Sequence, residues 1–441
     1  TTITLGASGD SIALASGASQ TGFGRTGTVD WQTAIKTATL TATSGEGYFC
    51  NTSGGAFTVN LPSSPTVGDI VAVKDYAGTF DTNNLTLGRG GSNIEGLASD
   101  KVLSTESLSI TFVYADATKG WLAVNDMAES QIQKFITATG GTISTVCTNF
   151  KVHTFTAPGT FTVTCAGNGL GSNTVDYLVV AGGGGGAMGG GAGAGGLRFA
   201  ANTFSTTCAP ANPLAGASSI PVTATGFPIT VGGGGSAASN ACGTDNGASG
   251  NNSVFSTITS AGGGGGKGRS TPGCAVAGGS GGGSAAETAG DAAGGAGNTP
   301  PTTPPQGNNG GGTPSPGNSF WGGGGGARAT GQAGDSPTNA GGNGGVGAGL
   351  PNALGTSGES CGSYYYFSGG GGGGKNGPPD ATGTGGTGGG GNGQLNSSTP
   401  NPPAAGTTNT GGGGGGGGAV GSNGGQGAGG SGIVIIRYKF Q

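Results

Sequence analysis

Charged side chains are scarce in this sequence. Asp, Glu, Lys and Arg together make up 8% of the 441 residues, against about 25% in an average soluble protein. Lys and Arg total 15, so the sequence lacks the basic patch that is typical of nucleic-acid-binding proteins. No apolar run approaches the ~20 residues of a membrane-spanning helix. We therefore expect no nucleic acid and no membrane insertion among the interactions of this chain.

The side chains of common catalytic and metal sites are equally rare. His153 is the only histidine, so Ser and Cys have no second candidate base for a catalytic triad, and a zinc site is disfavoured. The 19 Asp and Glu residues are scattered, which gives no support to a pair of glycosidase carboxylates. The sequence predicts a protein that is not an enzyme, holds no metal or cofactor, and uses His153 structurally.

Seven cysteines are present, and none forms a Cys-x-x-Cys motif. An odd number leaves at least one thiol outside any intramolecular disulfide. Cys147 and Cys165 flank a predicted hairpin and are candidates for a disulfide. Cysteines that are simply buried as small apolar side chains are the alternative, and the sequence leaves both open.

Glycine is the residue that this chain has in excess, with 111 Gly and 21 Pro. Such a composition is typical of low-complexity or disordered chains. Disordered chains, however, usually combine low hydrophobicity with high net charge, and the net charge here is only -4. The glycine clusters are confined to residues 182–432. We therefore interpret the chain as folded and as divided into regions.

The N-terminal part has the pattern of a β protein. Residues 1–27 are small and polar, without a core of their own, and are predicted to be an attachment or oligomerisation arm. Short alternating segments, such as 57–61 and 109–114, recur through residues 28–127 and predict an antiparallel β-sandwich module. Because this arm lacks a core and precedes well-formed β modules, we expect the chain to assemble through its N-terminal third, and a homotrimer is the predicted assembly.

A β platform is predicted to follow at residues 128–181. Its last strand, 175–181, is apolar, and the equally apolar segment 433–438 near the end of the chain is its natural partner. If these two strands share a sheet, residues 433–441 complete the platform. Residues 182–432 are then an insertion between two strands of that platform.

The glycine runs within this insertion resemble one another. Runs at 182–186, 232–235, 262–266, 322–326 and 369–374 each follow apolar residues, and three of them are followed by cations. A flexible linker needs no constant run length, whereas a layer of constant thickness does. Polyproline-II-type helices have three residues per turn and no internal hydrogen bonds, so glycine helices of this type must bond to one another. The sequence predicts a bundle of polyglycine type II helices and an all-β protein otherwise.

Three segments carry a resemblance to a known family. The segments are YLVVAGGGGG at 177–186, NSVFSTITSAGGGGG at 252–266 and GGSGIVIIRY at 429–438. They resemble the glycine-rich domain of bacteriophage tail fibres and adhesins, especially of marine and cyanobacterial phages, and residues 28–80 resemble a β module of the same fibres. The resemblance implies a polyglycine bundle at the end of an extracellular virion fibre. It also implies a host surface receptor, either a glycan or an outer-membrane component, and other virion tail proteins as partners.

The order of apolar residues, glycine run and cation predicts a direction for the runs. The apolar starts are expected at the end next to the platform, here called the platform end, together with loops 197–231, 284–321, 348–368 and 392–410. The opposite end, here called the distal end, is expected to carry loops 236–250, 267–277, 327–340 and 375–382. Exposed loops on a rigid scaffold commonly carry binding residues. The predicted receptor-binding residues are Lys267, Arg269, Arg328, Asp335, Lys375 and Asp380.

Aromatic residues form an alternative site, because aromatic rings can stack on sugars. These residues are Phe320, Trp321, Tyr364, Tyr365, Tyr366 and Phe367. The repeat favours a different role, in which these rings cap the platform end of the bundle. For the whole chain, attachment of a virion to the host cell is the favoured function. A structural virion decoration or extracellular surface protein is the alternative, and an ice-binding protein is a weaker one.

Overall fold

A computed structural model of the protein describes most of the chain. The described residues are 29–127, 134–169, 171–205, 209–216, 218–239, 244–271, 274–285, 293–313, 320–334, 340–376, 381–395, 403–418 and 425–441. The predicted arm at 1–27 lies outside them. The chain divides into two compact units, Thr1–Ile132 and Gln133–Gln441. The described residues of both units form strands, turns and extended segments, so the protein is all-β.

The described residues of the first unit form nine strands. They are β1 (Asp30–Lys36), β2 (Leu40–Thr41), β3 (Glu46–Cys50), β4 (Phe57–Asn60), β5 (Ile70–Asp75), β6 (Leu85–Gly88), β7 (Lys101–Leu103), β8 (Ser109–Asp116) and β9 (Gly120–Met127). One sheet has the order β1-β3-β5-β8-β9, and the other has the order β2-β4-β6-β7. Successive strands from β1 to β6 therefore alternate between two sheets.

The first half of this unit is parallel, which corrects the prediction of an antiparallel sandwich. β1 pairs with β3 and β3 with β5 in parallel, and β2 with β4 and β4 with β6 likewise. Antiparallel pairing begins only with β6–β7, β5–β8 and β8–β9. Because consecutive strands cross from one sheet to the other, each sheet receives its strands in the same direction. Alternating apolar residues face the core in either arrangement, so the sequence pattern did not separate the two.

The core of the first unit lies between its two sheets. Phe80, Phe112 and Trp121 are fully buried there, with Val59, Val71 and other aliphatic residues of both sheets. Asp75, at the end of β5, is also buried and accepts hydrogen bonds from the backbone N–H groups of Gly78, Thr79, Phe80 and Ser107. These bonds compensate the desolvation of the carboxylate. Asp75 thereby fixes the turn after β5 against the loop before β8.

In the part of the second unit that the structure describes there are fourteen strands, most of them short. They are β10 (Ile136–Thr139), β11 (Thr142–Val146), β12 (Phe150–Phe155), β13 (Gly159–Ala166), β14 (Thr174–Val180), β15 (Leu197–Ala200), β16 (Ile220–Pro221), β17 (Gly226–Thr230), β18 (Ser253–Phe255), β19 (Ile258–Ser260), β20 (Ala348–Leu350), β21 (Glu359–Cys361), β22 (Tyr364–Phe367) and β23 (Ile433–Lys439). Single 3-10 turns occur at Asn212–Leu214 and Asn352–Leu354.

The platform of this unit consists of two sheets. One has the order β11-β12-β23-β14-β15, and the other has the order β10-β13-β17-β18-β19. β23 lies between β12 and β14 and is antiparallel to both. Val180, the last residue of β14, is paired with Ile433, the first residue of β23. The two strands that the sequence predicted to share a sheet are therefore direct neighbours, and the glycine-rich region leaves and re-enters the platform at one point.

Apolar residues cover both faces of β14 and β23. On one face, Phe161, Phe255 and Tyr438 pack between the two platform sheets. On the other, Leu178, Ile433 and Ile435 pack against the small sheet β20-β22-β21. Burial on both faces explains why these strands read as continuous apolar runs.

Candidate functional site

The glycine segments of residues 182–432 bond to one another with a period of three. In segment 182–187, backbone N–H groups three residues apart donate to the same neighbouring segment. The donor–acceptor pairs are Gly182–Asn251 and Gly185–Ala248, Gly183–Gly430 and Gly186–Gly427, and Gly184–Gly193 and Ala187–Gly190, at 2.8–3.3 Å. A period of three is the repeat of a helix with three residues per turn. The segments are thus joined laterally in three directions.

Segments inside the array have six neighbours. Segment 190–196 donates to segments 261–267, 322–325 and 411–414, and accepts from segments 181–187, 280–283 and 371–374. These donors and acceptors of a buried backbone are therefore paired within the array, as a buried backbone requires. Ala192 and Ala194 are buried within this segment, but at the glycine positions inside the array the close approach leaves no room for a side chain. A Cβ on Gly324 would lie 1.8 Å from the carbonyl oxygen of Ala192, and one on Gly264 would lie 2.1 Å from that of Val276.

Segments at the edge of the array follow a different sequence rule. In segment 425–432, Gly427 and Gly430 are buried, while Gly425 and Ala428 are exposed. Gly331 and Gly334 are buried in the same way, and Gln332 between them is exposed. A three-residue turn with one outward face requires glycine only at every third position. This Gly-x-x spacing was visible in the sequence and was missed, and it separates edge segments from the all-glycine segments inside.

Hydrogen bonds fix the direction of each segment. Segment 182–187 starts at the platform, so the turn after it, at Ala187–Gly190, marks the distal end. Gly190 N–H donates to the carbonyl of Lys267, and Gly374 N–H donates to that of Gly189. Lys267 and Lys375 therefore lie at the distal end, as predicted. Their side chains, however, are only 1% exposed, so they are not displayed on the surface as the sequence interpretation assumed.

The run at 322–326 has the opposite direction to the one predicted. Trp321 N–H donates to the carbonyl of Gly374, and Ala327 N–H donates to that of Ser368. Phe320 and Trp321 are therefore distal, and the exposed Arg328 lies at the platform end. The sequence could not show this, because a glycine segment has the same composition in either direction. The supposed platform loop 284–321 in fact contains two further segments, around 295 and 310, which cross the array between its two ends.

The other predicted site residues are spread over both ends. Arg269 is distal and partly exposed, and its backbone N–H donates to the carbonyl of Met188. Asp335 and Asp380 lie outside the described residues. Tyr364, Tyr365 and Tyr366 are half-buried on β22 at the platform end, and Phe367 is buried against Ile433 and Leu350. The capping role is thus observed for Phe367, whereas Phe320 and Trp321 are buried at the distal end. The structure thus separates Arg328, at the platform end, from the three other predicted cations, which lie at the distal end.

The described residues that flank the longer connections of the array lie at the distal end. By the register of the described segments, these flanking residues include 239, 268, 285, 313, 334, 376, 395 and 418. The connections that follow them in the chain are rich in Ser, Thr, Asn, Pro and Ala. A rigid array whose segment ends gather at one end can carry connections whose sequences are free to differ from that of the array. The distal end, called the distal surface from here on, is the candidate functional site.

Two polar clusters inside the platform are structural. His153 is buried, with Nδ1 at 2.7 Å from the carbonyl oxygen of Gly140 and Nε2 at 3.1 Å from the hydroxyl of Tyr438. Burial lowers the pKa of His153, with the bond to Gly140 opposing it. Arg437 pairs with Asp176 at 3.4 Å and covers the ring of Phe150 at 3.6 Å from its centroid. Both clusters hold strands together.

Several sequence expectations concern chemistry rather than shape. Cys147 and Cys165 are free thiols, so the hairpin disulfide is not formed. Among the residues that the structure describes, His, Cys, Asp and Glu side chains form no group of three suited to a metal ion. The described part of the chain also contains no helix that is long and apolar enough to cross a membrane.

Comparison with known families agrees with the architecture. The profile of a glycine-rich domain matches residues 155–439, which run from β12 to the end of β23 and include the whole array. The chain belongs to this glycine-rich domain family. No curated protein matches the chain. The matched range therefore contains the array together with most of the platform strands, including β14 and β23, which flank the array in the sequence.

Proposed function

We propose that this chain is a receptor-binding adhesin that attaches a phage tail fibre to the host cell surface. The observation that supports the proposal is that the described residues on either side of the long polar connections lie together at the distal end of the array. The opposite end is occupied by the platform. One end thus suits attachment to the rest of a fibre, and the other suits contact with a host receptor, either a glycan or an outer-membrane component.

The burial of Lys267 and Lys375 changes the expected recognition chemistry. Hydroxyl and amide side chains, which are abundant in the sequences of the connections, are therefore the proposed contacts in place of these two ammonium groups. Such groups suit hydrogen bonding to sugars. Single contacts of this kind are weak, and several copies on one particle would raise the overall affinity without new contacts. A homotrimer and several fibres per virion would supply these copies. Other tail proteins are the expected partners of the N-terminal part.

The experiment compares connections at the two ends. In one variant, residues 314–319 and 396–402 are replaced by Gly-Ser sequences of equal length. In the control, Arg328 and Thr330, exposed at the platform end, are both changed to Ser. Labelled full-length proteins are tested by flow cytometry on a panel of bacteria, and antibodies against the chain are used to locate it on virions by electron microscopy.

We expect the distal variant to lose cell binding and the control to retain it, with unchanged melting of both. Equal binding by both variants would contradict the assignment of the distal surface. Antibodies that label the capsid, or that label no virion at all, would contradict the assignment to a tail fibre.

A further inference from the structure

A cleft of about 530 Å³ opens on the platform. Its volume is within the range of about 300–1,000 Å³ that small-molecule sites occupy. Residues from β14, β15, β16, the β18–β19 turn and the loop around Thr303 line it. These segments are distant in the sequence and meet only because the array returns to the platform between them. The cleft lies at the platform end, away from the distal surface.

A single arginine supplies the positive charge of the cleft. Arg198, on β15, is half-buried, and its described hydrogen bond is a long one, 3.5 Å from Nη1 to the carbonyl oxygen of Thr259. Guanidinium has five N–H donors, so most of its donors have no described protein partner. Tyr177 lies beside it and is 4% exposed. Burial raises the pKa of Tyr177, and the positive charge of Arg198 opposes this shift.

Hydroxyl groups surround this arginine. Ser218, Ser256, Thr257 and Thr303 all line the cleft with Tyr177. Ser256 and Thr257 form the two-residue turn between β18 and β19, and Ser256 has a φ of 52°. A left-handed conformation is costly for a residue other than glycine and is often kept at binding sites. The turn exposes both hydroxyls at the rim of the cleft.

We propose that this cleft binds a carboxylated sugar, a hexuronic acid residue. The carboxylate would accept paired hydrogen bonds from Arg198, whose planar fork matches it. Ring hydroxyls of the sugar would bond to the Ser, Thr and Tyr hydroxyls, and its C–H face would contact Ile220 and Ile258, which also line the cleft. A hexuronate carries the one negative charge that a single arginine balances. The proposal does not depend on the distal surface being the receptor-binding site.

The test titrates the full-length protein with glucuronate, glucose and acetate and follows binding by NMR of the ligand. We expect saturable binding of glucuronate, and at least tenfold weaker binding of glucose and acetate, because charge-assisted hydrogen bonds are the stronger ones. Inorganic phosphate is included as a fourth probe. Phosphate that binds as tightly as glucuronate would overturn the assignment to a sugar.

Three variants decide whether the binding occurs in this cleft. Arg198→Gln should weaken glucuronate binding about tenfold or more, and Arg198→Lys should give an intermediate loss, because Lys keeps the charge without the fork. Thr257→Glu places a negative charge at the exposed rim without touching the core, so it should weaken glucuronate binding but not folding. Thr330→Glu, at an exposed turn elsewhere, is the matched control. Unchanged affinity in Arg198→Gln and Thr257→Glu, or no glucuronate binding by the parent chain, would refute the proposal.

Discussion

The glycine array makes a sharp prediction about single methyl groups. Gly324 lies inside the array, and Gly233 lies on its edge. A Cβ on Gly324 would lie 1.8 Å from the carbonyl oxygen and 2.2 Å from the carbonyl carbon of Ala192. The nearest atom to a Cβ on Gly233 is Nδ2 of Asn251 at 3.7 Å, an ordinary contact. Gly324→Ala and Gly233→Ala therefore add the same atoms to the same kind of chain in two different surroundings.

The hydrogen bonds around Gly324 set the size of the effect. Gly324 N–H donates to Gly371, Gly371 N–H donates to Ala192, and Gly345 N–H donates to Gly324, each at 2.8 Å. Relieving the Cβ contact requires Gly324 and Ala192 to move apart by more than about 1 Å. A shift of Gly324 stretches its bonds with Gly371 and Gly345, and a shift of Ala192 stretches its bonds with Gly371 and Gly414, so two bonds are lost in either case. Each buried group left unpaired costs about 1–3 kcal/mol. We expect Gly324→Ala to lower the free energy of unfolding by about 3–6 kcal/mol.

Gly233→Ala should change this free energy by less than about 1 kcal/mol, with slight stabilisation from the reduced freedom of the unfolded chain. Thermal unfolding of both purified variants, followed by calorimetry, measures the difference. We expect the melting temperature of Gly324→Ala to fall by roughly 5–10 °C and that of Gly233→Ala to stay close to the parent's. Equal melting temperatures for the two variants would show that the array is not packed as closely as described.

Three further predictions concern other parts of the chain. Backbone amides of segment 190–196 should exchange with solvent slowly, because their acceptors lie in neighbouring segments. Fast exchange there would contradict the array. It would also contradict the polyglycine type II geometry, which stays a prediction. Burial lowers the pKa of His153 below its usual value of about 6.5, so the unfolded chain binds the proton more readily. Stability should therefore fall as the pH drops below about 6.5, by at most about 1.4 kcal/mol per pH unit. In His153→Gln this part of the pH dependence should vanish, as measured by chemical unfolding at pH 5 to 8, and an unchanged profile would assign it to other groups. Light scattering of the full chain should give the mass of a trimer, and deletion of residues 1–27 should reduce it; a monomer at high concentration would rule out self-assembly through this part of the chain.

Much of the second unit could be predicted because its sequence signals are local. β14 and β23 are apolar on both faces, and few segments other than paired central strands need that pattern. Five or six glycines in succession are explained by backbones that approach from every side, as around Gly324. The finer rule, glycine at every third position on the edge, needed the period of three to be applied to mixed segments such as 425–432.

Strand and segment direction could not be predicted in the same way. Parallel and antiparallel neighbours of β3 and β5 bury the same residues. Likewise, the run at 322–326 has no side chains that would reveal which of its ends faces the platform. Phe320 and Trp321 appeared to be a platform cap because the four other runs that follow apolar residues begin at the platform end. Direction in both cases is fixed by hydrogen bonds between residues far apart in sequence.

The sequence predicted at which end of the array the candidate site lies, but not which of the named residues are exposed there. Lys267 and Lys375 do lie at the distal end, yet both are buried. A positive charge that follows a glycine run looks exposed in the sequence, because nothing local indicates what will cover it. The cleft around Arg198 had no local signal either, since its walls come from five separate parts of the chain.

The pairing of Val180 with Ile433 has a consequence for how such domains spread among proteins. Cα atoms of directly opposed residues in an antiparallel pair are only about 4.5–5.5 Å apart. The array therefore begins and ends at the two positions that an ordinary hairpin turn would join. Any protein with two adjacent antiparallel strands could accept such an insertion without moving either strand. Recombination would then exchange whole glycine arrays between unrelated proteins, much as a hairpin loop is exchanged. Only the local fit of the array to the receiving sheet would limit this exchange.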